Sequence, residues 1–218
     1  MAQPITIPLS FVELVVNYER PNIKAFEDRA GILQTVFEAL SPWSPKLDDV
    51  EPLSSGKLSE QGLMFKLPLK QSSMFFGPVF CRFTRDNVDW GEAEETIKIF
   101  DASLSAFLKL TGLTAGVKTA AVGVHLQPKS GTFMDILSPF APPQITGIEK
   151  EIPRTMASVV RWDKRRVTLD GSASLANAAF LKFEREFDGP ATFPEIADQI
   201  LADQKQLFTI LGVEEIPA

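Results

Sequence analysis

The stretch from Met74 to Gly112 constrains the fold more than any other part of the chain. It opens on an apolar run, Met74-Phe75-Phe76-Gly77-Pro78-Val79-Phe80-Cys81-Arg82-Phe83-Thr84, whose composition is that of a strand. A polar corner follows at Arg85-Asp86-Asn87. From Val88 on, Ala93, Ile97, Phe100, Leu104, Phe107 and Leu108 recur at steps of three or four, while Glu94, Glu95, Lys98 and Asp101 occupy the opposite side. That spacing predicts a long amphipathic helix, capped by Asp86 or Asn87 and ended by Gly112.

The remaining segments repeat this alternation of strands and helices. Ile5–Glu19 reads as a strand, and Pro4 and Pro8 place it at a sheet edge or bulge. A helix over 22–40 follows with Asn22 as its cap, then a loop to about Gly56 and a strand over 58–69. Val117–Gln127 alternates as a strand, with Ala120, Val122, Val124 and Leu126 on one face and Thr119, Gly123 and His125 on the other. Residues 132–138 form a short helix, Arg154–Trp162 and Arg165–Leu169 a hairpin around Asp163-Lys164, and Leu175–Phe187 a strand. Thr192 followed by Glu195 is a capping box that opens a last helix, ended by Gly212.

Such an order predicts a single α+β domain over 1–218. Its twisted, mainly antiparallel sheet is covered on one face by three long amphipathic helices. Residues 1–112 and 113–218 both run from a strand through a hairpin or meander to a helix ending in Gly. The order is compatible with a structural duplication, and the sequence leaves that open.

The resemblance that the chain carries is to a sporadically distributed family of bacterial proteins of uncharacterised activity. It rests on the opening strand Pro8-Leu9-Ser10-Phe11-Val12-Glu13-Leu14-Val15-Val16, on Phe83-Thr84-Arg85-Asp86-Asn87-Val88-Asp89-Trp90 leading into a helix, and on a closing strand and helix, Phe180–Phe187 and Phe193–Phe208. The middle strand departs from the family pattern, with Gly123-Val124-His125-Leu126-Gln127 where an Arg/Asn-rich strand is expected. The resemblance implies a fold and no mechanism.

Composition narrows the function classes. The net charge is -6, which argues against nucleic acid or an anionic membrane as partner. One cysteine allows no internal disulfide and fits a reducing compartment, so the chain is assigned to the cytoplasm. A single histidine, with no second one at helical spacing, offers no metal site, and no phosphate loop or nucleophile elbow is present, so no cofactor is expected.

Three features carry the functional expectations. Arg161-Trp162-Asp163-Lys164-Arg165-Arg166 sets four cations and one Trp at a hairpin tip; Arg161, Trp162, Arg165 and Arg166 are the expected binding residues for a protein partner or a second copy. The chain has 17 Phe against one Tyr. Met64, Phe65, Phe75 and Phe80, with Phe100, Phe107, Phe180 and Phe183, are candidates to line a pocket for an apolar small molecule between sheet and helices. His125, beside a carboxylate, is the one candidate catalytic residue. Cys81, on an apolar strand face, reads as core. A non-enzymatic interaction protein is therefore the leading expectation.

Overall fold

The computed structural model describes residues 2–54, 57, 61–141 and 155–216. In chain order the elements are β1 (Gln3–Tyr18), α1 (Arg29–Ala39), β2 (Val50–Leu53), β3 (Gly62–Leu67), β4 (Ser72–Phe76), β5 (Phe80–Asp86) and α2 (Ala93–Thr111). There follow β6 (Ala115–Pro128), α3 (Phe133–Leu137), β7 (Ala157–Arg161), β8 (Arg165–Gly171), β9 (Ala179–Phe187), α4 (Phe193–Leu211) and β10 (Val213–Glu215). The class is α+β with a large, mainly antiparallel sheet.

The chain forms two compact units. One comprises Val12–Ala120 and Glu186–Asp198. The other comprises the residues up to Phe11, Ala121–Arg185 and those from Gln199 on.

In the first unit the strands pair in the order β2-β3-β4-β5-β1-β6. Register puts Leu63, Phe65 and Leu67 opposite Phe76, Met74 and Ser72, and these opposite Cys81, Phe83 and Arg85, so one face is almost wholly buried. α2 packs its stripe onto that face: Phe100 meets Phe83 at 5.2 Å and Phe107 meets Phe76 at 4.9 Å between ring centroids. Phe193, at the start of α4, closes on Phe100 at 4.9 Å. The apolar run that reads as one strand is two. Gly77-Pro78 turns the chain, with the Gly77 N–H donating to the Phe80 carbonyl; β4 is buried almost throughout, and β5 alternates, with Cys81, Phe83 and Arg85 buried and Arg82 and Thr84 half-buried on the other face.

Helix starts also differ from the expectation. α1 begins at Arg29, where the Asp28 side chain accepts from the Gly31 N–H at 2.9 Å. Asn22 is not its cap; its side-chain amide donates to the Thr111 carbonyl. α1 thus has 11 residues where α2 and α4 have 19 each, so among the described residues only α2 and α4 reach the expected length. Neither Asp86 nor Asn87 caps α2. Asn87 is left-handed at φ 50, a turn over Trp90–Glu92 intervenes, and Glu92 holds the N-cap position without a side-chain hydrogen bond. The other end is as expected: Gly112 sits at φ 66 and ends the helix.

The second unit orders its strands β1-β6-β9-β8-β7, with β10 parallel to the start of β1. β1 is therefore internal and not an edge. Pro4 needs no donor there, because it contributes only its carbonyl, to the Lys129 N–H at 3.1 Å. The capping box of α4 is present, with Glu195 accepting from the Thr192 N–H and hydroxyl at 2.8 Å each, and Gly212 at φ 65 ends the helix. No helix among the described residues is long and apolar enough to cross a membrane.

Candidate functional site

β7 and β8 form the expected hairpin: Arg161 lies opposite Arg166, and the Trp162 N–H donates to the Arg165 carbonyl at 2.8 Å. Strand alternation then divides the four residues singled out from the sequence. Arg165, Val167 and Leu169 share one face with Val160 of β7 and with Phe183 and Leu181 of β9; Trp162, opposite Arg165, ends that row. Arg161 and Arg166 lie on the other face, in line with Glu184.

Two of these three arginines are already neutralised. Asp203 of α4, only 6% exposed, accepts from Arg165, from Arg185 Nε and Nη2 at 2.7 Å each, and from Gln199 at 3.2 Å. Burial pushes the Asp203 pKa up, but the hydrogen bonds and charge of Arg185, the charge of Arg165 and the Gln199 amide outweigh it and hold the carboxyl below its usual range. Arg166 lies 3.6 Å from Glu184. Arg161 has no side-chain partner among the described residues.

The α4-facing side of the hairpin carries what the sequence did not reveal. An open groove of about 470 Å³ runs between the strands and the second half of α4, floored by Val160, Val167, Leu169, Leu181, Leu207 and Ile210. Trp162 is 53% exposed, Val160 49% and Ile210 57%, so three large apolar side chains border it in contact with solvent. A smaller hollow of about 150 Å³, also lined by Trp162, extends to Arg165 and Asp203. Ile210 falls outside the core stripe of its helix, and that surplus of apolar residues in the last turn was the available signal.

The other candidates are placed as follows. His125 faces Ser172, with Nδ1 2.8 Å from the Ser172 hydroxyl, and its ring lies 5.0 Å from that of Phe180. The Ser172 oxygen accepts from the Leu175 N–H at 2.9 Å and the Ser174 N–H at 3.2 Å, so its own proton goes to Nδ1. Among the described residues no carboxylate lies within hydrogen-bond reach of the imidazole. Burial lowers the His125 pKa. Of the eight residues picked as pocket lining, Phe65, Phe75, Phe100, Phe107 and Phe183 are at most 3% exposed; Phe65 and Phe107 both pack on Phe76, Phe75 packs on Phe80, and Phe100 on Phe83. Phe183 alone of the eight borders one of the grooves described above. Cys81 is fully buried and its pKa is pushed up by that burial; its core face includes Phe83 and Phe76 but not Phe75, which the Gly77-Pro78 turn places on the other side. Among the described residues no group of three or more acidic, His or Cys side chains is arranged to hold a metal.

No protein-family profile and no curated protein matches the chain. Among solved structures, the regulatory subunit of aspartate kinase from Thermus flavus is similar over 95% of this chain and 99% of that one, at 16% identity and a TM-score of 0.24. That score is too low to carry fold or function from one chain to the other.

Proposed function

We propose that this protein works by binding another protein chain, a partner or a second copy, through the β7–β8 hairpin and the groove beside α4. The observation that carries the reading is the row of half-exposed Trp162, Val160 and Ile210 around an apolar floor, on a face where the nearby ions are already paired. Such a surface gains by being covered, and an aromatic anchor flanked by arginine is what concentrates binding energy at an interface. Arg161 and Arg166 lie on the opposite face of the hairpin, outside this groove, where a partner that wraps the hairpin tip would meet them.

Truncation tests it. Trp162→Ala is expected to weaken the complex by roughly 30-fold, the equivalent of about 2 kcal/mol for an aromatic anchor. Unfolding stability should move by no more than about 0.5 kcal/mol, as at other exposed sites. A collapse of stability would make Trp162 a core residue and end the reading.

A second reading is an apolar small molecule in the same groove, favoured by its volume, which falls within the ~300–1,000 Å³ of ordinary ligand sites. Catalysis by His125 has less support, since its partner is a hydroxyl engaged by backbone donors. The buried lone cysteine fits our placement of the protein in the cytoplasm.

We also read the chain as duplicated. Both halves run strand, helix, strands, helix. β1 lies beside β5, then β4 and β3, while β6 lies beside β9, then β8 and β7.

A further inference from the structure

We propose that a second copy of this chain pairs with β7 edge to edge, antiparallel and centred on Val159, so that the sheets of two copies join. The inference rests on the interaction reading above and names a second copy as the partner, meeting the outer edge of β7 beside that groove.

β7 ends the strand order among the described residues. The Trp162–Arg165 bond fixes which of its residues bond to β8. In an antiparallel ladder hydrogen-bonded pairs alternate with non-bonded ones. Val160 and Ser158 therefore face β8 with their amides and carbonyls, and Ala157, Val159 and Arg161 direct theirs outward. Val159 is also 56% exposed, which leaves an apolar residue in solvent on this strand. The edge has no proline and no bulge, two of the devices that keep such strands single, and its one charge is Arg161 at the end.

The sequence of β7 is self-complementary. Centring on Val159 sets Val159 opposite its copy and Arg161 opposite Ala157, and aligns all five residues. Behind Ala157, on the same face, lies Asp170 of β8. The Arg161 guanidinium and the Asp170 carboxylate each have no ion-pair partner among the described residues. Two strand spacings, about 10 Å, separate their backbones across the joint, a gap that arginine spans over an alanine. The row then reads Glu184, Arg166, Arg161, Asp170 of the second copy, two cations bracketed by two carboxylates.

The test is sedimentation velocity and cysteine cross-linking on the full chain. Wild type should sediment as a dimer at micromolar concentration. Val159→Pro, which removes an outward N–H, should raise the dimer dissociation constant at least tenfold, with an unfolding midpoint that matches wild type once both are diluted to monomer. Val159→Cys should oxidise to a covalent dimer, because hydrogen-bonded cross-strand residues lie about 5.5 Å apart, inside disulfide range, while buried Cys81 stays silent. Val160→Cys alone should not cross-link, but should do so when mixed with Ser158→Cys. Arg161→Glu should weaken the dimer, and adding Asp170→Arg should restore it.

A monomer with no cross-link at position 159, or efficient self-linking at 160, overturns the proposal. A monomer that still holds another protein in a Trp162-dependent way overturns it and leaves the interaction reading standing; a monomer whose binding ignores Trp162 overturns both.

Discussion

Single residues account for much of the pH behaviour expected of this chain. His125 is the only imidazole, so its titration can be followed alone. Desolvation depresses its folded pKa, and the Ser172 hydroxyl favours the neutral ring. A depressed pKa means that its stabilising contribution is complete above the ordinary value near 6.5 and is lost as pH falls through the lower, folded value. NMR of the ring should give a midpoint below 6.5, and His125→Gln should flatten the stability curve in that window; a midpoint above 6.5 would refute the assigned hydrogen bond. Asp203 behaves alike at lower pH. Its stabilisation is present above the ordinary aspartate range and lost as pH falls through its lowered folded pKa. Asp203→Asn leaves Arg185 and Arg165 facing an amide, and urea unfolding at neutral pH should show a loss of roughly 3 kcal/mol, shrinking in acid. Half-exposed Arg165 contributes the smaller share of that loss, since solvent screens it. Gly123 is constrained by contact: an added Cβ would fall 2.1 Å from the Phe11 ring, so Gly123→Ala should destabilise by about 1–3 kcal/mol.

Elements were legible where their signals are local. The capping box of α4, the Gly ends of α2 and α4, the Glu94–Lys98 pair at 2.7 Å and the alternation of β6 were all evident from spacing. Thr192→Ala removes the first of these and should cost about 1 kcal/mol in thermal unfolding. What escaped depends on distant partners. β10 is three residues whose reason to be a strand is the start of β1, and β2, with Pro52 inside it, reads as loop until β3 lies beside it. The Gly77-Pro78 turn was hidden because Met74–Cys81 reads as one unbroken apolar run. The candidate patch was legible as composition but not as geometry. Its alternation across two faces, and the removal of Arg165 by Asp203, need the register of β8 with β9 and the position of α4.

At the scale of the whole molecule, each compact unit takes residues from both sides of Gly112. A chain divided between Gly112 and Leu113 should therefore give fragments that unfold without cooperativity apart and regain it when co-expressed, measured by circular dichroism on heating; two independently cooperative fragments would refute this. The central claim is that an exposed apolar groove, and not a reaction centre, is where this protein does its work. The most direct measurement is recovery of bound protein from its native host by wild type and by Trp162→Ala, with unfolding midpoints measured side by side. The account predicts that a protein held at stoichiometric amount by wild type, a second copy included, is lost with the variant while the midpoints agree within about 2 °C. Retention of that protein by Trp162→Ala, or a midpoint that drops by ten degrees or so, would contradict it.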